Sequence, residues 1–97
     1  MLNSRQRAQL RGMANGFEAI LHIGKGGITK EVVNQADDAL KARELIKARV
    51  LEAAPQTSRE AADVLAKQIG ADVVQVIGSI FILYRENKED KKIRLVK

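Results

Sequence analysis

The chain contains no cysteine among its 97 residues and only one histidine, His22. The lack of cysteine excludes disulfide bonds, thiolate zinc sites, iron–sulfur clusters and a thiol nucleophile. No two carboxylates have a spacing that indicates a shared catalytic site, and the pairs Asn3-Ser4 and Thr57-Ser58 are explained by helix capping. We therefore predict a protein that is not an enzyme and that uses neither a metal nor another cofactor.

Long hydrophobic runs are also missing. No apolar stretch approaches the roughly 20 residues that a membrane-spanning helix needs. Residues 3–7 at the start of the sequence are polar, and no apolar stretch of the signal-peptide type follows them. We expect a cytoplasmic protein without membrane contacts, folded as one domain because 97 residues leave no room for a second.

Positive charge is in excess and is unevenly distributed. The formal net charge is +5 and the sequence pI is about 9.8. Residues 1–50 carry nine basic and five acidic side chains, whereas residues 51–97 carry eight and seven. A surface for an anionic partner such as a nucleic acid is therefore expected in the first half of the chain.

Hydrophobic periodicity and capping residues predict three helices and four strands. The predicted elements, in chain order, are a helix over 4–14, a strand over 17–23, a helix over 29–41, a strand over 44–51, a helix introduced by the capping box Thr57-Ser58-Arg59-Glu60 and stopped by Gly70, and two strands within 73–84 joined at Gly78-Ser79. The order αβαβαββ predicts an α/β fold, a two-layer sandwich with a four-stranded mixed sheet. We expect Phe17 and Phe81 in the core.

The last residues are highly charged. The sequence predicts a domain over residues 1–86, followed by a solvated, mobile tail over 87–97. Residues 93–96 are apolar enough to add a short edge strand to the sheet.

The most informative segment is the turn Gly24-Lys25-Gly26-Gly27, which lies between a predicted strand and a predicted helix. Closely spaced glycines let backbone amides approach a ligand, and the amides at a helix N-terminus attract phosphate. Lys25 adds a positive charge at the tip of the turn. The alternative is a tight connection that needs glycine for geometry alone.

Nucleotide-binding motifs fit this turn poorly. A P-loop requires G-x-x-x-x-G-K-[ST], which the segment does not supply. Gly24 and Gly26 match only the first half of the dinucleotide pattern G-x-G-x-x-G, because Thr29 occupies its last position. A nucleotide pocket is thus the weaker form of the phosphate hypothesis, and the backbone of a nucleic acid the stronger one.

Further basic residues in the first half of the chain support a nucleic-acid surface. Lys47 and Arg49 alternate with apolar residues and so share one face of a predicted strand. A basic strand face can also be merely solubilising, but the first helix contributes Arg5, Arg7 and Arg11, and the second contributes Lys30. Only three aromatic residues are present, which argues against a sheet that stacks bases on aromatic rings.

Several segments of the chain form a familiar series, in the order Leu10-Arg11, the turn that follows Ile23, the run from Arg43 to Leu51, Leu65-Ala66, Gly70-Ala71, the run from Val74 to Gly78, and Leu83-Tyr84-Arg85. Together these segments resemble the CRM domain (chloroplast RNA splicing and ribosome maturation), and in particular its stand-alone bacterial YhbY-like form. The resemblance covers about residues 2–86. Arg43 stands where the family often has histidine, and Arg49 stands where it commonly has lysine. Both replacements keep the basic character of these positions.

The resemblance implies an RNA-binding domain with a fold similar to the C-terminal domain of bacterial translation initiation factor three. Stand-alone members of the family are associated with precursors of the large ribosomal subunit, which implies ribosomal RNA as partner and a role in ribosome biogenesis. The family's glycine loop is compared with the GxxG loop of KH domains, which clamps nucleic-acid backbone. The resemblance and the charge pattern together give the predicted RNA-binding residues Gly24, Lys25, Gly26, Gly27, Arg11, Lys30, Lys47, Arg49 and Arg85.

We expect a monomer that binds RNA rather than DNA. Because the turn is expected to be exposed, aspartate at Gly26 and Gly27 should abolish binding and leave the fold intact. Two alternatives stay open at this point, a protein-interaction module on the ribosome and a small nucleotide-binding protein.

Overall fold

Three helices and four strands follow one another in the order that the sequence predicts. The structure is a computed structural model, and it describes residues 2–97. Its elements are α1 Ser4–Ala14, β1 Leu21–Ile23, α2 Lys30–Arg43, β2 Leu45–Val50, α3 Ser58–Ile69, β3 Asp72–Ile77 and β4 Ile80–Tyr84. The predicted α/β class and the four-stranded mixed sheet are confirmed. The first strand is shorter than predicted, because the chain leaves α1 through a turn at residues 15–16 and residues 17–20 precede the strand without belonging to it.

Side-chain caps start each helix at the residue that the sequence indicates. Asn3 and Thr57 form capping boxes with Gln6 and Glu60, and the Thr29 hydroxyl accepts a hydrogen bond from the Val32 amide. Such caps satisfy amides that have no partner in the first helical turn. Among residues 2–97, no helix is long and apolar enough to cross a membrane.

The sheet has the strand order β1-β2-β4-β3. β1 and β2 are parallel, whereas β4 runs antiparallel to both β2 and β3. The ends of β1 and β2 and the β3–β4 turn therefore meet at one edge. We call this edge, formed by residues 24–29, 51–57 and 78–79, the loop edge.

The two faces of the sheet are covered differently. α2 and α3 pack on one face, in a core that includes Ile46, Ala48, Phe81 and Leu83. α1 and the C-terminal segment cover the other face only around Leu45, Val74, Ile82 and Tyr84. The rest of that face, close to the loop edge, is left uncovered, and we call it the open face; its side chains are His22, Lys47, Arg49, Gln75, Ile77 and Ile80.

The C-terminal segment differs from its predicted form. Residues 93–96 form no strand; instead, Ile93 is buried beneath α1, and Gln9 pairs with the backbone of Arg94 and Val96. A strand was expected because the segment is apolar, but side chains of α1 satisfy its backbone groups. Phe17 also differs from its predicted core position, since 40% of it is exposed, whereas Phe81 is buried as predicted.

Glu44 anchors this segment, although the sequence pattern predicts it as the start of a strand. It is fully buried and ends α2 in the left-handed conformation, with φ 64°. Its carboxylate accepts hydrogen bonds from the backbone amides of Asn87, Lys92 and Ile93, each at 2.6 Å. One buried side chain thereby holds both the end of α2 and the chain beyond β4.

Candidate nucleic-acid interface

The glycine turn closes with two backbone hydrogen bonds. The amide of Gly27 donates to the carbonyl of Gly24 at 2.9 Å, and the amide of Thr29 donates to the carbonyl of Gly27 at 3.1 Å. Lys25 and Gly26, at the centre of the turn, are exposed. The turn therefore presents a lysine and bare backbone to solvent directly in front of the N-terminus of α2.

Gly27 differs from its neighbours in being buried. Its φ is +70°, and a Cβ there would lie 2.7 Å from Gln56 Oε1 and 2.9 Å from Pro55 Cγ. At Gly26, by contrast, a Cβ would meet only the methyl group of Thr29, at 3.3 Å. The expectation that aspartate is tolerated at both positions is therefore wrong for Gly27, where it would displace the 51–57 loop.

Two helix N-termini lie at the loop edge. α2 begins right after the glycine turn, and α3 begins at Ser58, whose hydroxyl donates to the carbonyl of Gly78 at 2.7 Å. Helix N-termini carry partial positive charge, which favours phosphate. Lys30 is exposed in the first turn of α2, next to Glu31, which is acidic.

Lys47 and Arg49 extend the positive charge from the loop edge onto the open face. Arg49 is exposed and pairs in register with His22, one residue before the end of each strand. Lys47 is half-buried. The predicted face of β2 is confirmed, because Ile46, Ala48 and Val50 pack on the opposite side with α2 and α3.

The arginines of α1 have different surroundings. Arg7 donates to the backbone carbonyls of Val73 and Val74, so that it fastens α1 to β3. Arg11, one helical turn later, is exposed. Of these two, Arg11 has the more accessible charge.

Arg85 lies away from the other predicted site residues. It follows β4, at the edge of the sheet opposite the loop edge. Its guanidinium donates to the Asp37 carboxylate at 2.7 Å, the Ile69 carbonyl at 2.8 Å and the Asp37 carbonyl at 3.1 Å. Hydrogen bonds from Arg85, and then from Lys41, lower the pKa of Asp37. Arg85 joins α2, α3 and β4, and its guanidinium lies away from the loop edge.

The structure thus brings together most of the predicted residues. Gly24, Lys25, Gly26 and Gly27 lie at the loop edge, Lys30 follows directly in α2, and Lys47 and Arg49 lie on the adjoining sheet face. Two exposed apolar side chains stand beside them, Leu51 at the end of β2 and Ile77 at the end of β3. The sequence alone does not indicate that these two side chains are exposed, because their exposure depends on which elements cover the strands.

The chain matches a known protein family over almost its whole length. The family model for the CRS1/YhbY (CRM) domain matches residues 2–85. The chain is 39% identical to the "Probable RNA-binding protein YqeI" of Bacillus subtilis over 98% of this chain and 99% of the relative. It is 32% identical to an RNA-binding protein of Haemophilus influenzae, over 93% of this chain and 91% of the relative.

A solved structure has the same fold. The solution structure of the hypothetical protein SAV1595 from Staphylococcus aureus, described as a candidate RNA-binding protein, superposes with a TM-score of 0.82. The two chains are 43% identical, and the match covers 99% of this chain and all of the other.

Proposed function

Since the chain belongs to the CRS1/YhbY (CRM) domain family, we propose that it binds RNA without catalysing a reaction, and that it attaches to ribosomal RNA during assembly of the large subunit. The predicted resemblance is confirmed by the family match. Two relatives named as RNA-binding proteins match almost the whole of this chain, which supports RNA as its partner. The ribosomal role rests on the association of stand-alone family members with precursors of the large subunit.

The observation that carries the proposal is the exposed glycine turn at the head of α2. Lys25 and Gly26 are open to solvent, so a phosphate can approach the backbone amides and the lysine ammonium together. Lys30 at the start of α2, and Lys47 and Arg49 on the open face, extend the positive surface beyond this point. A polyanion that continues past the turn would meet positive charge along its path.

Replacement of both strand cations should weaken binding and reduce its salt dependence. If about four to six phosphates are neutralised, log affinity falls with log salt with a slope of roughly −3 to −5. The K47Q/R49Q variant should lose at least about tenfold in affinity and reduce that slope by about two. Fluorescence titration of protein-free ribosomal RNA fragments at several salt concentrations measures both quantities.

The matched control is K67Q/K88Q, which removes the same charge from two exposed lysines away from the open face. It should leave the slope within about half a unit of the wild-type value. If both variants lose the same RNA affinity, the loss is explained by net charge alone, which would contradict a defined interface. A wild-type protein that associates with ribosomal particles but not with protein-free RNA at physiological salt would be a protein-interaction module instead.

Aspartate at Gly26 tests the turn separately from the strand. The side chain can be accommodated, and its carboxylate would repel the phosphate from the amides, so RNA affinity should fall about tenfold or more without loss of the fold. Gly16→Asp adds the same charge where a Cβ would meet nothing within 4 Å, and it should bind RNA as the wild type does. Circular dichroism checks that both variants are folded. Equal affinity of the two would show that the turn is only a connector.

A further inference from the structure

We propose that the open face binds unpaired nucleobases of the RNA whose phosphates the loop edge holds. This inference rests on the proposed function and adds to it the kind of RNA that is preferred. The charge pattern of the sequence does not define this surface, because the surface forms only when the four strands lie side by side in the sheet.

One row of side chains crosses the open face from β1 to β3. His22 pairs with Arg49, Arg49 with Ile80, and Ile80 with Ile77, so that each of the four strands contributes one residue. His22 and Arg49 are exposed, Ile80 is half-buried, and Ile77 is 61% exposed. At a strand spacing of about 4.8 Å the row spans roughly 14 Å.

The next row on this face runs towards α1. It contains Lys47, which pairs with Ile82, and Gln75, which pairs with Ile82 from the other side. Ile20 precedes β1 in the same row, and its amide donates to the Lys47 carbonyl at 3.0 Å. The two rows therefore combine cations, apolar side chains and an amide, and they include no carboxylate.

This mixture suits unpaired nucleobases. Bases have flat faces that stack on a guanidinium or an imidazole and pack against apolar groups, and they have polar edges that an amide can recognise. Other four-stranded RNA-binding sheets stack two or three bases on aromatic rings of Phe or Tyr, whereas here Arg49 and His22 would supply the flat groups. In a duplex the base faces are hidden, so Ile77 and Ile80 would gain little from paired RNA.

Charge argues against a second copy of the chain as the occupant. If two open faces met about a two-fold axis, Lys47 and Arg49 of each would be buried against the same cations of the other. An RNA strand supplies phosphates for these cations and bases for the isoleucines. Charge complementarity therefore favours RNA.

The test compares two RNA duplexes with equal numbers of phosphates, one fully paired and one with three unpaired nucleotides in an internal loop. The variant is Ile77→Ser, which removes an exposed apolar side chain from the open face and leaves every cation in place. We expect it to lose about fivefold or more in affinity for the duplex with unpaired nucleotides. Its affinity for the paired duplex and its salt slope should stay within about twofold of wild type.

The matched control is Val64→Ser on α3, which removes an exposed apolar side chain from the opposite face and should change neither affinity. Equal losses of Ile77→Ser on both duplexes, or no loss on either, would overturn the inference while RNA binding itself stands. A wild type that binds neither duplex would contradict the proposed function instead. A wild-type dimer that Ile77→Ser converts to a monomer in sedimentation would identify the open face as a protein interface and overturn the inference.

Discussion

Replacement of Glu44 by alanine should lower the free energy of unfolding by about 3–5 kcal/mol. The carboxylate is the acceptor for three buried or half-buried backbone amides, and removing it leaves those amides without a partner in the protein interior. Unpaired buried donors cost more than the hydrogen bonds contribute when formed, because water no longer reaches them. Urea unfolding followed by circular dichroism measures the change.

Two further variants separate the carboxylate from the volume of the side chain. Glu44→Gln keeps the size but offers only one acceptor oxygen, so it should lose an intermediate amount. Glu89→Ala removes an exposed carboxylate of the same tail and should change stability by less than about 0.5 kcal/mol. Amide exchange at Lys92 and Ile93 should accelerate in Glu44→Ala. A loss no larger than that of Glu89→Ala would contradict the anchoring role of Glu44.

Alanine at Gly27 should lower the free energy of unfolding by about 2–4 kcal/mol. Part of this loss, about 1–2 kcal/mol, comes from a positive φ that side chains disfavour. The remainder comes from the approach of the new Cβ to Gln56 and Pro55, which forces the 51–57 loop away from the turn. Thermal and urea unfolding measure the total.

Alanine variants at Gly70 and Gly26 separate the contribution of the positive φ from that of the contact with the 51–57 loop. Gly70 has nearly the same φ, +67°, but a Cβ there meets nothing within 4 Å, so Gly70→Ala should show the backbone contribution alone. Gly26→Ala should change stability little. If Gly27→Ala and Gly70→Ala lose the same amount, contact with the 51–57 loop contributes nothing and the turn is not held by it.

Local features of the fold can be predicted well because their causes are local. Asn3, Thr29 and Thr57 cap helices through contacts within three residues, and Gly70 ends α3 by its own conformation. The exposure of Lys25 in the glycine turn likewise follows from a tight connection between a strand and a helix. These are the parts of the candidate site that the sequence indicates directly.

What the sequence does not show depends on distant partners. Arg85 and Arg49 carry the same charge. Arg85 is paired with Asp37, which lies 48 residues away in the sequence, whereas Arg49 is exposed on the open face. In the sequence, Glu44 cannot be distinguished from a surface carboxylate, because its hydrogen-bond partners in residues 87–93 lie far along the chain. The row from His22 to Ile77 exists only because β4 lies between β2 and β3, an arrangement that hydrophobic periodicity does not encode.

The C-terminal segment runs beside the first turns of α1, where Gln6 donates to the Val96 carbonyl at 2.9 Å. Residues 2–3 and 96–97 are therefore neighbours, and Leu2 lies near Gly70 and Arg85, at the far side of the molecule from Lys25. A dye, a surface tether or a fused domain joined at either terminus would consequently point away from the loop edge, where we propose that RNA binds.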